Sequence, residues 1–113
     1  MKITTEKTVE ALVIHPEGRL DTMTAGEFEN EVTPLIQQSG LNVLIDFGKL
    51  DYISSSGLRS LLILAKEMKK KEKRLALCCL SATIKEIFFI SGFDTIFSIS
   101  PTLEAGLTFL KGN

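Results

Sequence analysis

Three consecutive hydroxyls, Ser54-Ser55-Ser56, run directly into Gly57-Leu58-Arg59. These residue types suit phosphoryl acceptance or anion binding. If a helix begins here, its free first-turn amides and the positive end of its dipole favour added negative charge. A phosphoryl group on Ser55 would sit in that field without melting its own helix. One serine suffices to cap the helix, which leaves the other two to solvent or to function. Gly57 reads as clearance for another chain.

Other chemistries find less support. A nucleophilic serine needs a base, and the single histidine, His15, falls at the end of an expected strand beside a turn, as a partly exposed surface residue. No glycine stands two residues before Ser55, so the Gly-x-Ser-x-Gly elbow is absent. No serine is followed three residues later by lysine, and neither a phosphate loop nor a dinucleotide fingerprint occurs. Cys78 and Cys79 are adjacent. On a strand their side chains would point to opposite faces, so they read as small core residues, poorly placed for a disulfide or a shared metal. Neither enzyme activity nor a metal or cofactor is expected.

The elements that must present the serines follow from periodicity and breakers. Thr8 to Ile14 reads as a strand, Pro16-Glu17-Gly18 as a turn and Arg19-Leu20-Asp21 as a short second strand antiparallel to the first. Thr22 or Thr24 can cap the helix that follows, with Glu27 three residues after Thr24 as in a capping box. Phe28, Val32, Leu35 and Ile36 then recur at helical spacing, with Pro34 allowing two shorter pieces, and Ser39-Gly40 ends the helix. Val43 to Phe47 is apolar enough for a strand buried on both faces, and Gly48 to Ser54 reads as loop. Ser55 to about Lys71 is the clearest helix, with Leu58, Leu61, Leu62, Ala65 and Met68 on one side. A strand over Arg74–Leu80, a helix over Ala82–Ser91, a short strand at Phe97-Ser98-Ile99 and a last helix from Pro101 complete the pattern. This alternation predicts one α/β domain over residues 1–113: a mixed, mostly parallel central sheet of four to five strands flanked by about four helices. The serine loop then falls beyond the carboxyl end of a strand, where sites gather in such sheets.

Composition narrows the partners. A net charge of −1 offers no general attraction to nucleic acid or anionic membrane. No apolar run approaches the roughly 20 residues of a membrane-spanning helix, and the polar N-terminus lacks a signal-peptide core. Cytoplasmic residence without membrane insertion or direct nucleic-acid binding is expected. Lys66, Lys69, Lys70, Lys71, Lys73 and Arg74 read as a solvated helix end favoured by the dipole. In Phe88-Phe89-Ile90, core packing is the leading expectation. A helix cannot bury all three on one face, so Phe89 or Ile90, if exposed, would anchor an interface.

Tyr52-Ile53-Ser54-Ser55-Ser56-Gly57-Leu58 resembles the signature of the STAS family, the anti-sigma factor antagonists. Gly18-Arg19-Leu20-Asp21 is similar to the family's glycine-x-leucine-aspartate ahead of the first helix, and the order of elements fits along the whole chain. The resemblance implies that Ser55 is phosphorylated by a partner that is both anti-sigma factor and serine kinase. The unphosphorylated antagonist binds that partner and frees a sigma factor, and a serine phosphatase restores this form. It implies a monomer when free, with Asp21 beside the acceptor and Asp21, Ser54, Ser56, Gly57, Leu58 and Arg59 meeting the partner. Ser54 stands where the family often carries aspartate, so Ser54 and Ser56 are alternative acceptors. The rival is a non-phosphorylated STAS-like subunit docked on the ATPase of a membrane transport complex.

Overall fold

The computed structural model describes residues 1–112; Asn113, the last of the expected domain, lies outside the described residues. The chain runs β1 (Lys2–Lys7), β2 (Ala11–Leu20), α1 (Ala25–Ser39), β3 (Asn42–Asp46), β4 (Leu50–Ile53), α2 (Ser55–Lys70), β5 (Leu75–Cys78), α3 (Ala82–Ser91), a 3₁₀ turn (Phe93–Thr95), β6 (Ser98–Ser100) and α4 (Leu103–Lys111). The strands form one mixed sheet in the order β1-β2-β3-β5-β6, with β4 added alongside the far half of β2. Only the β1–β2 pair is antiparallel.

The sheet therefore has six strands where four to five were expected. β4 lies inside the segment Gly48–Ser54 that reads as loop, and β1 lies in the polar N-terminus. The hairpin turn also moves. Pro16-Glu17-Gly18 is part of β2, and the chain reverses over Thr8–Glu10 instead, closed by the Thr8 amide donating to the Ala11 carbonyl at 2.8 Å. Proline survives in this strand because of how β2 is shared. Ala11–Ile14 pair with β3, Gly18–Leu20 pair with β4, and Pro16 falls in the gap, facing only Ile3 of β1. A missing N–H is tolerated there. Gly18 takes a positive φ of 102° at the irregularity where β2 changes neighbours.

α1 is one helix despite Pro34, whose exposed position lets water reach the carbonyl that its ring leaves unbonded. The expected capping box is not formed: Thr24 is the N-cap residue but makes no side-chain cap bond. Gly40 ends α1 in the left-handed conformation, as its position after Ser39 suggests.

Strand alternation sorts the core into two layers. Leu12, Ile14, Val43, Ile45 and Leu77 join Phe28, Val32, Leu61, Leu64, Ile84 and Phe88 of α1, α2 and α3. Ala11, Val13, Leu44, Ala76 and Cys78 face the other way and meet Leu110 of α4. That second layer is thin. A Cβ built at Gly106 would lie 2.7 Å from a Leu44 methyl, so glycine is what lets α4 approach the sheet.

Candidate protein-interaction site

β2 and β4 run parallel and stop together, with Leu20 opposite Ile53. The next residues, Asp21 and Ser54, are thus set side by side at the carboxyl edge of the sheet. The Ser54 amide donates to the Leu20 carbonyl at 2.9 Å, which pins the start of α2 to the end of β2. Gly57 completes the seat. A Cβ there would lie 2.6 Å from the Leu20 carbonyl oxygen and 2.7 Å from Ile53 Cγ1.

The three serines divide their work. Ser54 is the N-cap, its Oγ accepting from the Gly57 amide at 3.4 Å. Ser56, half-buried, meets the Thr22 hydroxyl at 3.1 Å and so ties α2 to the loop after β2. Ser55 is the first helical residue and is exposed, and among the described residues no hydrogen bond engages its hydroxyl. Arg59, one turn further, is exposed on the same helix.

Gly57 and Leu58 are both buried, Leu58 at 6 % exposure. Within the free chain, Gly57 makes room for β2 and β4, and Leu58 belongs to the core. Ser55, Arg59, Thr22 and Met23 are the exposed residues on the helix start and on the loop that Ser56 bonds. Met23, 87 % exposed, has no signal in the sequence beyond its place after Asp21.

Asp21 organises the adjoining loop. Its Oδ1 accepts from the Met23 amide at 3.0 Å, and its Oδ2 lies 3.4 Å from Arg19 Nε. The Thr24 hydroxyl accepts from the Asp21 amide at 2.9 Å and donates to the Arg19 carbonyl at 2.7 Å. Partial burial works against the charge of Asp21, but the Met23 amide, the Arg19 guanidinium and Thr24 outweigh it and hold its carboxyl below the ordinary value. Arg19 also stacks 4.5 Å above the Tyr52 ring, binding this loop to β4. The site is a rigid surface carrying a fixed carboxylate.

Two features differ from the sequence-based expectations. Phe89 and Ile90 are both exposed, at 72 % and 75 %, because Ile84 and Phe88 already fill the buried stripe of α3. The basic run is partly structural. Lys71 Nζ donates to the Ile36 and Gln37 carbonyls at 2.8 and 2.7 Å, closing the end of α1. Arg74 lies 4.0 Å above the Phe109 ring and donates to the Phe109 carbonyl at 2.9 Å.

A second cluster sits on the α4 side of the same sheet edge. Cys79 follows β5 in the left-handed conformation, φ 63°, which breaks the alternation expected for neighbouring strand residues. Cys78, Cys79 and Asp46 consequently bring their ligand atoms within 4.8 Å of one another, against the expectation that the two cysteines are poorly placed for a shared metal. Burial, and after it the neighbouring Cys79, pushes the Cys78 thiol up; burial does the same to Cys79. His15 is held between two carboxylates, with Nδ1 2.8 Å from Asp46 Oδ2 and Nε2 3.0 Å from Glu6 Oε1.

The STAS domain family model matches residues 2–106. The chain belongs to the STAS domain family. BtrV of Bordetella bronchiseptica, provisionally named an anti-sigma factor antagonist, is 35 % identical over 111 residues, which cover 98 % of this STAS domain and 96 % of BtrV. The solved anti-sigma factor antagonist of Mycobacterium paratuberculosis superposes with a TM-score of 0.88 at 21 % identity, covering 97 % of this chain and 93 % of that one. The Bacillus cell fate determinant SpoIIAA, solved in its phosphorylated form, gives a TM-score of 0.70 at 24 % identity, covering 96 % and 98 %. The chain thus falls with the anti-sigma factor antagonists of the STAS family. Among the described residues no helix is long and apolar enough to cross a membrane.

Proposed function

We propose that this chain binds an anti-sigma factor with serine kinase activity through the surface around Ser55, and that phosphorylation of Ser55 breaks the contact. In this cycle the unphosphorylated protein, a cytoplasmic monomer when free, releases a sigma factor by occupying its captor, and a serine phosphatase returns the spent form. The observation that carries the reading is the division of labour among the three hydroxyls. Ser54 caps, Ser56 bonds Thr22, and Ser55 is exposed with no structural task among the described residues. This ranks Ser55 above Ser54 and Ser56 as acceptor. A fixed subunit of a transport complex would have no use for such a hydroxyl. That SpoIIAA, a structural neighbour, has been solved in a phosphorylated form supports phosphorylation as the switch.

The magnitude suffices for a switch without a change of shape. A phosphoserine brings about −1.5 to −2 charges at neutral pH, beside the carboxylate of Asp21. The first-turn amides of α2 and Arg59 four residues on stabilise the phosphate within the fold. A partner that must cover it buries an unpaired charge, at about 2–5 kcal/mol, or roughly 30- to 3,000-fold in affinity.

The test is binding of the cognate anti-sigma factor to wild type, Ser55→Ala, Ser55→Asp and the enzymatically phosphorylated protein. Ser55→Ala should bind like wild type and take up no phosphate at that position by mass mapping. The phosphorylated protein should lose affinity within the range above, and Ser55→Asp should fall between. Equal affinity of phosphorylated and unphosphorylated protein would sink the proposal.

A further inference from the structure

The cluster of Asp46, Cys78 and Cys79 has no part in the Ser55 surface. We propose that these three side chains form a binding site for a thiophilic divalent cation, with zinc the fitting occupant and His15 the positioning residue behind Asp46.

Zinc takes thiolates at about 2.3 Å and carboxylate oxygens at about 2.0–2.2 Å in a tetrahedron, so its ligand atoms lie roughly 3.3–3.8 Å apart. The three ligand atoms here already lie within 4.8 Å of one another. Cys79 and Asp46 are half-buried and can close the remaining distance by small side-chain rotations, while Cys78 is held in the core. Two sulfurs and a carboxylate oxygen suit zinc better than calcium or magnesium, which demand oxygen ligands.

Packing alone does not explain the arrangement. Cys79 occupies a left-handed conformation that residues with a Cβ avoid, and this turns its sulfur to the same side as that of Cys78. The approach from solvent is open at Gly48. A Cβ there would lie 3.0 Å from Asp46 Oδ1 and 3.8 Å from Cys79 Cβ. The surroundings also prepare the ligands. The Gly48 amide donates to Asp46 Oδ1 at 2.8 Å, and His15 Nδ1 orients Asp46 Oδ2 at 2.8 Å, the second-layer contact that metal-binding carboxylates use. Binding breaks two S–H bonds and forms two metal–sulfur bonds, and both protons pass to solvent. The fourth coordination position is left to water.

The experiment is a Co²⁺ titration of the reduced full chain, with zinc displacing the cobalt. One cobalt per chain is expected, with a thiolate-to-metal charge-transfer band, tetrahedral visible bands and the release of two protons in weakly buffered solution. Cys79→Ser should remove about half of the charge-transfer intensity, because one of two thiolates is gone. His15→Gln should keep the band but weaken zinc binding by about 10- to 100-fold, as the loss of an orienting partner does. Cys78→Ser risks misfolding, so zinc protection of the Cys79 thiol against alkylation in the wild type provides an independent measure. No charge-transfer band, an unchanged band in Cys79→Ser, or unprotected Cys79 would each overturn the proposal.

Discussion

Ser54, Ser55 and Ser56 are chemically identical and adjacent, yet their positions at one helix start give them three different environments. That a helix would begin among them was legible, since serines before an apolar periodic run are a start signal. Which serine caps was not, because it depends on where the Leu20 carbonyl meets the chain, a contact across 34 residues. The packing role of Gly57 was hidden for the same reason. A Cβ there would meet Leu20 and Ile53. Gly57→Ala should therefore lower stability by about 1–3 kcal/mol through overpacking, measured by urea denaturation, whereas Ser55→Ala at the exposed neighbour should stay within about 0.5 kcal/mol of wild type.

At the scale of elements, legibility followed burial. α2, β3 and α3 carry dense apolar patterns and sit where periodicity puts them. β1 is exposed along nearly its whole length and β4 spans only four residues, so neither carries enough apolar signal to be read from the sequence. Pro16 and Gly18 have turn chemistry, but the split pairing of β2 absorbs it. Cys79 escaped because left-handed geometry at a residue other than glycine leaves no mark in composition. α3 provides a direct check of the exposed apolar pair. Phe88→Ala should cost about 3–5 kcal/mol, while Phe89→Ser should change stability by no more than about 0.5 kcal/mol. If Phe89→Ser instead weakens binding of the anti-sigma factor, α3 extends the interface.

The whole molecule is lopsided. Three helices cover one face of the sheet, and α4 alone meets Ala11, Val13, Leu44, Ala76 and Cys78 on the other. A chain truncated after Ser100 should lose cooperative unfolding and bind a hydrophobic dye, because these side chains would face water. Retention of a sharp thermal transition would show that the thin layer is dispensable. The alternation of strands and helices makes the α/β class readable in advance; the unequal thickness of its layers depends on Gly106 meeting Leu44, which lie 62 positions apart in the chain. The carboxyl edge of the sheet carries both the Ser55 surface and the Asp46–Cys79 cluster, in keeping with where such sheets place their sites. One feature of that edge governs how the serine can be approached. Because the start of α2 is tied to the end of β2 by the Ser54–Leu20 backbone bond and packed closely at Gly57, Ser55 is mounted on a held helix start rather than on an extended strand. Under the proposed phosphorylation of Ser55, a modifying enzyme would have to dock on the assembled surface, so its discrimination among related antagonists would rest on three-dimensional shape rather than on the few letters flanking the serine.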